Sequence, residues 1–225
     1  MPTGRVFIAI AGIAVLMSGA PARAQLSGSV SVESDYRFRG VSLSDGRPDV
    51  RLNLSYDSPG GAYAGLSLIG ARDAGGRTSV AGYIDYAGYI SSPVKGLAWE
   101  AGASQVHFRQ REAYDYSEVY AGLVGDRFSA RLSYSPRYYG RDEATLYADL
   151  STSRRLSPHW RVVAHAGVLT PLNGLYRGER YDVRAGVAVS LRNYEVQLAW
   201  TRATPFSGRP GDDSDAVVAS ASYFF

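Results

Sequence analysis

The 225 residues contain no cysteine, only three histidines and a single lysine, Lys95, among 24 lysines plus arginines. Without cysteine there is no disulfide frame, no thiolate metal site and no thiol nucleophile. No G-x-S-x-G, H-E-x-x-H, P-loop or EF-hand pattern occurs, so neither a cofactor nor an enzymatic activity is expected. Past residue 24 no apolar run approaches the ~20 residues a membrane-spanning helix needs. Acid and base are nearly balanced, and the net charge of +3 is not gathered into a basic stripe. Nucleic acid is therefore not an expected partner.

Residues 1–24 differ from the rest. A short basic start, "MPTGR", precedes the apolar "VFIAIAGIAVLMSGA" and the small-x-small triplet Ala22-Arg23-Ala24. This is the layout of a cleaved secretory signal peptide, with Gln25 as the mature start. Cleavage removes Arg5 and Arg23 and no acid, so the net charge falls from +3 to +1.

What the chain has in abundance is tyrosine (17) and glycine (25), a mixture suited to strands and tight turns. About twelve segments alternate with a period of two between turn residues. The first spans 28–38, with Val30, Val32, Tyr36 and Phe38 on one face and Ser31, Glu33, Asp35 and Arg37 on the other. In 79–90, Val80, Ile84, Tyr86 and Ile90 oppose Tyr83 and Asp85. The cleanest is 128–139, where Phe128, Ala130, Leu132 and Tyr134 alternate with Ser129, Arg131, Ser133 and Ser135. Tight links such as 58–61, 125–127 and 192–193 take turns with longer ones such as 39–48, 71–78, 109–115, 170–179 and 203–214.

A periplasmic β-sandwich would also alternate. Two features favour a barrel in a bilayer. The segments reach the ~10 residues that a tilted strand needs to cross, and a closed sheet satisfies every backbone group in lipid. One face is aliphatic and aromatic while the other mixes carboxylates and guanidiniums with Ser, Thr and Gly. Aromatics near segment ends, among them Tyr36, Phe38, Tyr56, Tyr138, Tyr139 and Tyr194, suit interfacial girdles. The terminal segment places Val217, Ala219, Ala221, Tyr223 and Phe225 on one face. It resembles the C-terminal strand that the outer-membrane barrel-assembly machinery reads, with Tyr223 and Phe225 as the targeting residues. The expectation is an all-β chain, with residues 25–225 forming one antiparallel up-and-down transmembrane barrel of about twelve strands.

The stretch "SDYRFRGVSLSDGRPDV", 34–50, resembles the N-terminal signature of the TorF family of porin-like proteins. That signature is an aromatic-Arg-Gly element followed by a Ser-x-(Ser/Thr)-(Asp/Asn)-Gly loop and a proline. Tyr36, Arg39, Gly40, Ser42, Asp45, Gly46 and Pro48 occupy the matching positions. The resemblance implies an outer-membrane barrel with a porin-like role and no catalytic residues.

With the apolar face outward, the inward, lumen-lining set includes Glu33, Asp35, Arg37, Arg51, Asp85, Glu100, Arg131, Asp149 and Arg184, and Arg137 falls in the same register. Both signs are spread around the wall, so ion pairing between strands and at most a mild cation preference are expected. Arg39 is expected to pair with Asp45 or Asp49, or to stand in solvent. His165 reads as a polar wall residue and His159 as a turn residue. Ser104 and His107 are the one weak hint of a nucleophile and its base. Passive passage of small hydrophilic solutes or ions through the outer membrane fits these features best, with membrane lipid and lipopolysaccharide as surroundings. The alternatives are a non-conducting surface barrel and a lipid-modifying enzyme.

Overall fold

The computed structural model describes residues 6–9, 13–16, 25–72, 78–109, 112–173, 178–204 and 214–225. The expected signal segment lies largely outside these residues, as do 73–77, 110–111, 174–177 and 205–213 within four of the long connections. The side chain of Val80 is also outside the description.

Twelve strands close into one barrel, each hydrogen-bonded to its neighbours in sequence and the last to the first. They are β1 (Gln25–Glu33), β2 (Asp49–Asp57), β3 (Ala62–Arg72), β4 (Thr78–Val94), β5 (Leu97–Phe108) and β6 (Tyr116–Gly125). The second half is β7 (Phe128–Ser135), β8 (Thr145–Arg155), β9 (Trp160–Pro171), β10 (Arg180–Leu191), β11 (Tyr194–Ala203) and β12 (Ser214–Phe224). All pairs are antiparallel. At the closure, Phe225 and Gly28 exchange backbone hydrogen bonds of 3.0 Å in both directions. A Cβ on Gly28 would stand 2.7 Å from the Phe225 ring, so the glycine is the seat on which the terminal aromatic lies. A separate two-stranded ladder pairs Val6–Ala9 with Ile13–Leu16 and does not join the barrel.

The exterior is apolar. Leu132, Leu150, Val196, Leu198 and Val217 are all about half exposed, and Tyr56, Trp99, Trp160, Tyr194 and Tyr223 stand among them. A surface of this kind is unfavourable in water and suits hydrocarbon. The interior is polar, with buried Glu33, Arg51, Glu100, Glu118, Arg161, Asp182 and Glu195. Interior tyrosines and glycines interlock. A Cβ on Gly102 would meet the Tyr120 hydroxyl at 2.5 Å, and Tyr63 and Tyr147 cover Gly88 and Gly167 in the same way. Part of the abundance of both residue types thus has one physical cause: a flat ring on one strand needs a bare backbone beside it.

The structure revises the register in four places. First, β1 ends at Glu33 rather than running to residue 38. Tyr36 (2% exposed) and Phe38 (6%) are inside the barrel, not in a girdle. Second, Tyr138 is likewise buried, and Tyr139 packs against the same interior cluster. Third, β4 is reversed. Ile84 is buried in that cluster, while Tyr83 and Tyr89 are exposed. Asp85 is therefore on the outer face, where it pairs with His107 at 3.2 Å. An apolar cluster inside the lumen gives Ile84 a reason to turn inward, which simple alternation does not foresee. Fourth, Arg137 lies after β7 in a connection, is largely exposed and faces Asp142 at 3.5 Å.

The exposed face of β7 yields a depth test. Leu132→Arg, at mid-strand, is expected to cost the folded barrel about 2–4 kcal/mol, whereas Leu26→Arg near the turn end should cost about 0–1 kcal/mol. Urea unfolding from lipid vesicles measures both, and equal losses would contradict the placement of the two residues.

Candidate functional site

The 34–48 connection folds into the lumen as a small hairpin, and its sequence explains why. Arg37 pairs with Ser42 and Phe38 with Val41, leaving Arg39-Gly40 as a two-residue turn. Both turn residues have positive φ, 49° and 75°, which is the type I′ geometry of a tight hairpin. A second such pair, Asp45-Gly46, has φ of 54° and 69° and is spanned by a 3.1 Å bond from Arg47 N to Ser44 O. Asp35 fastens the base. Its Oδ1 accepts hydrogen bonds from Ser42 at 2.5 Å and Ser44 at 3.0 Å, and its Oδ2 accepts from Arg37 Nε at 2.5 Å. The Arg-Gly and Ser-Leu-Ser-Asp-Gly elements are thus the two turns and the clasp of one folded unit.

The hairpin crosses the barrel from wall to wall. Gly40 lies so close to β10 and β11 that a Cβ would stand 2.5 Å from Ala203 Cβ and 2.9 Å from Asp182 Cβ. On the opposite side Arg39 makes a two-pronged ion pair with Glu118 of β6, each bond 2.8 Å. Its guanidinium stacks 4.0 Å from the Tyr147 ring centre and 5.0 Å from that of Phe38. Burial works against this charge, but the Glu118 carboxylate outweighs it and holds the Arg39 pKa well above its ordinary value. Burial also pushes the Tyr36 phenol up to about 12. The expected partners Asp45 and Asp49 do not take this role, because the I′ turn aims Arg39 away from its own loop. Glu118 was not singled out in the sequence. The available signal was a carboxylate between Tyr116 and Tyr120 at alternate positions, the same mixed pattern as the other inward faces.

The crossing divides the interior. Towards β3–β6 the hairpin packs through Tyr36 and Phe38 onto Ile69, Ile84, Val106 and Tyr116. Towards β7–β12 it leaves a polar cavity of about 130 Å³. Two rows of cross-strand neighbours form that wall. One runs Arg131, Asp149, Gly167, Asp182, and the other Ser129, Ser151, His165, Arg184, Thr201. Asp35, Arg37 and Glu33 face the cavity from the other side.

Most of these charges are mutually engaged. Arg51 pairs with Glu33. Arg131 gives Glu100 Oε1 two bonds, of 2.9 and 2.7 Å, and Glu100 also accepts from Tyr63 at 3.2 Å. Asp182 Oδ1 faces His165 Nε2 at 3.0 Å, and Asp182 Oδ2 accepts from Tyr147 at 3.1 Å. Nearer the short turns, Arg161 Nε donates to Glu195 at 3.0 Å. Of the residues expected to line the lumen, Glu33, Asp35, Arg37, Arg51, Glu100, Arg131, Asp149 and Arg184 are brought together on the inner side, and Asp85 is not. Ser104 is buried on the inner face, whereas His107 stacks on outward Tyr83, so the two do not form a nucleophile–base pair. Among the described residues no group of three or more His, Cys, Asp or Glu side chains is placed to hold a metal ion.

Residues 18–205 match the model of a family described as bacterial protein of unknown function (Gcw_chp). The chain belongs to this family. No curated protein matches it. Among solved structures, the barrel is similar to the NanC porin (TM-score 0.62, 10% identity, covering 89% of this chain and 100% of that one). It is also similar to the KdgM porin (TM-score 0.58, 13% identity, 88% and 99%). A third structure, the KdgM porin in complex with disordered oligogalacturonate, aligns with a TM-score of 0.52 at 11% identity, over 89% of this chain and 98% of that one. At these identities the likeness is one of fold: a porin-like transmembrane barrel.

The Arg39–Glu118 pair predicts a local effect. Removing one partner of a buried ion pair costs about 3–5 kcal/mol because the other charge is stranded. In Arg39→Ala or Glu118→Ala, the Leu43 amide, which bonds to Tyr36 O at 2.8 Å, should exchange at least a hundredfold faster. Strand amides of β8 and β9 should be unaffected. Unchanged Leu43 exchange would mean that the ion pair does not hold the hairpin.

Proposed function

We propose that this protein is an outer-membrane channel of the TorF type, through which small hydrophilic solutes or ions pass by diffusion. The observation that supports it most is the divided interior. An apolar-faced closed barrel holds an inward hairpin packed on one side, and a cavity lined by charged side chains remains beside β7–β12. Twelve strands fall between the side-chain-filled interior of eight and the aqueous channel of about sixteen. The hairpin narrows that intermediate lumen to a constriction. Residues 1–24 serve as the export signal. Tyr223 and Phe225, outward on the closing strand, are what the assembly machinery reads. The short turns and both termini of the 25–225 barrel face the periplasm, and the long connections face outward among lipopolysaccharide.

The same hairpin also supports a second reading, a non-conducting surface barrel, since its aromatic cluster packs onto the β3–β6 side of the lumen. Single-channel recording of the refolded 25–225 chain in a planar bilayer separates the two. Discrete small steps are expected, with larger steps in Arg39→Ala, where the hairpin is freed. A correctly folded but silent barrel, in both forms, would leave the second reading. Orientation has its own check: a cysteine at 206 should react with an impermeant maleimide on intact cells, and one at 60 should not. The opposite labelling would invert the topology.

A further inference from the structure

Two opposite charges on the polar wall are left over when the rest have paired. Arg184 has no hydrogen bond or ion pair among the described residues, and its Nε is buried without an acceptor. Glu33 and Asp182, which line the same cavity, are occupied, Glu33 by Arg51 and Asp182 by His165 and Tyr147. Among the described residues Asp149 has no hydrogen bond or ion pair either. Its cross-strand neighbour is Arg131, whose guanidinium is turned to Glu100 instead. Arg184 and Asp149 line the same cavity. They are two strands apart and offset by two residues along the wall, since Arg184 pairs with His165 and Asp149 with Gly167.

A half-buried charge with no hydrogen-bonded partner is costly, and a ligand with one charge would satisfy only one of the pair. The cavity, at about 130 Å³, is roughly ten times the space a single water needs by the same measure. We propose that it is a subsite for a small zwitterion of the amino-acid class, with its carboxylate on the Arg184 guanidinium and its ammonium on the Asp149 carboxylate. The planar, multi-donor guanidinium suits a carboxylate. The neighbouring Ser129, Ser151 and Thr201 are small hydroxyl residues that leave room beside it. The inference deepens the channel reading, because it names a solute class for the path along β7–β12.

The test is ligand-observed saturation-transfer NMR on the folded 25–225 barrel in detergent, with glycine, acetate and methylammonium as probes. Glycine should bind at least tenfold more tightly than either single-charge probe. Arg184→Gln should lose glycine and acetate alike. Asp149→Asn should weaken glycine about tenfold, the scale of one lost charged hydrogen bond, and leave acetate unchanged. Equal affinity for acetate and glycine, or a glycine signal indifferent to Asp149→Asn, would overturn the zwitterion site. Binding and conduction fail separately. Glycine bound with this pattern by a barrel silent in bilayers would keep the site and sink the channel. Defined conductance with no glycine signal would do the reverse.

Discussion

The interior is organised around one buried ion pair, Arg39–Glu118. A guanidinium taken out of water needs a geometry that satisfies its donors, and the pairing must offset a desolvation cost of several kcal/mol per ion. Here both prongs are 2.8 Å long and the flat face lies on Tyr147. Those conditions are met with the Arg39-Gly40 turn spanning the lumen, Gly40 against β10 and β11 and Arg39 reaching β6. That placement requires glycine at 40 against Ala203, and the Asp35 clasp at the base. A buried pair of this kind contributes less to overall stability than to uniqueness, because a misplaced hairpin leaves two charges stranded.

The ion pair also explains the asymmetry of the interior. A hairpin carrying Tyr36 and Phe38 on one side and Asp35 and Arg37 on the other presents two chemistries at once. The wall answers each of them. Ile69, Ile84 and Val106 meet the aromatic side, and Arg131, Asp149, Asp182 and Arg184 stand across from the polar side. Sheet and loop are matched pieces, and the lumen is smaller than that of a bare twelve-stranded barrel.

The barrel was legible in the sequence because its exterior obeys one rule over many residues. Val196, Leu198 and Trp200 must face hydrocarbon, and the strand period of two carries that requirement directly into the sequence. The inner face obeys no such rule. It is adapted to a partner that arrives from elsewhere in the chain, so Ile84 can turn inward and Asp85 outward without disturbing the fold. The same cause hid the true positions of Tyr36, Phe38 and Tyr138, whose aromatic character suits a girdle as well as a core. The partner of Arg39 was not legible at all, since Glu118 is distant in the chain and only the closed barrel brings it near. The signature at 34–50 did mark the decisive segment, although its meaning, two I′ turns and a clasp, is geometric and emerges only when φ values are known.

Pairing is the reason that what is left over matters. An interior with carboxylates and guanidiniums in similar number has little net field, and screening within about 10 Å at 0.1 M salt weakens what there is. In the proposed channel, selection by overall charge would therefore be weak. Discrimination must come from short-range contacts at groups the protein has not already satisfied. In this wall those groups are one cation and one anion, Arg184 and Asp149, set in adjacent rows of the same surface. In the proposed subsite, a solute that carries both signs would lose less on leaving water than one that carries either alone, because each of its charges would meet one of the two residues that the fold itself does not use.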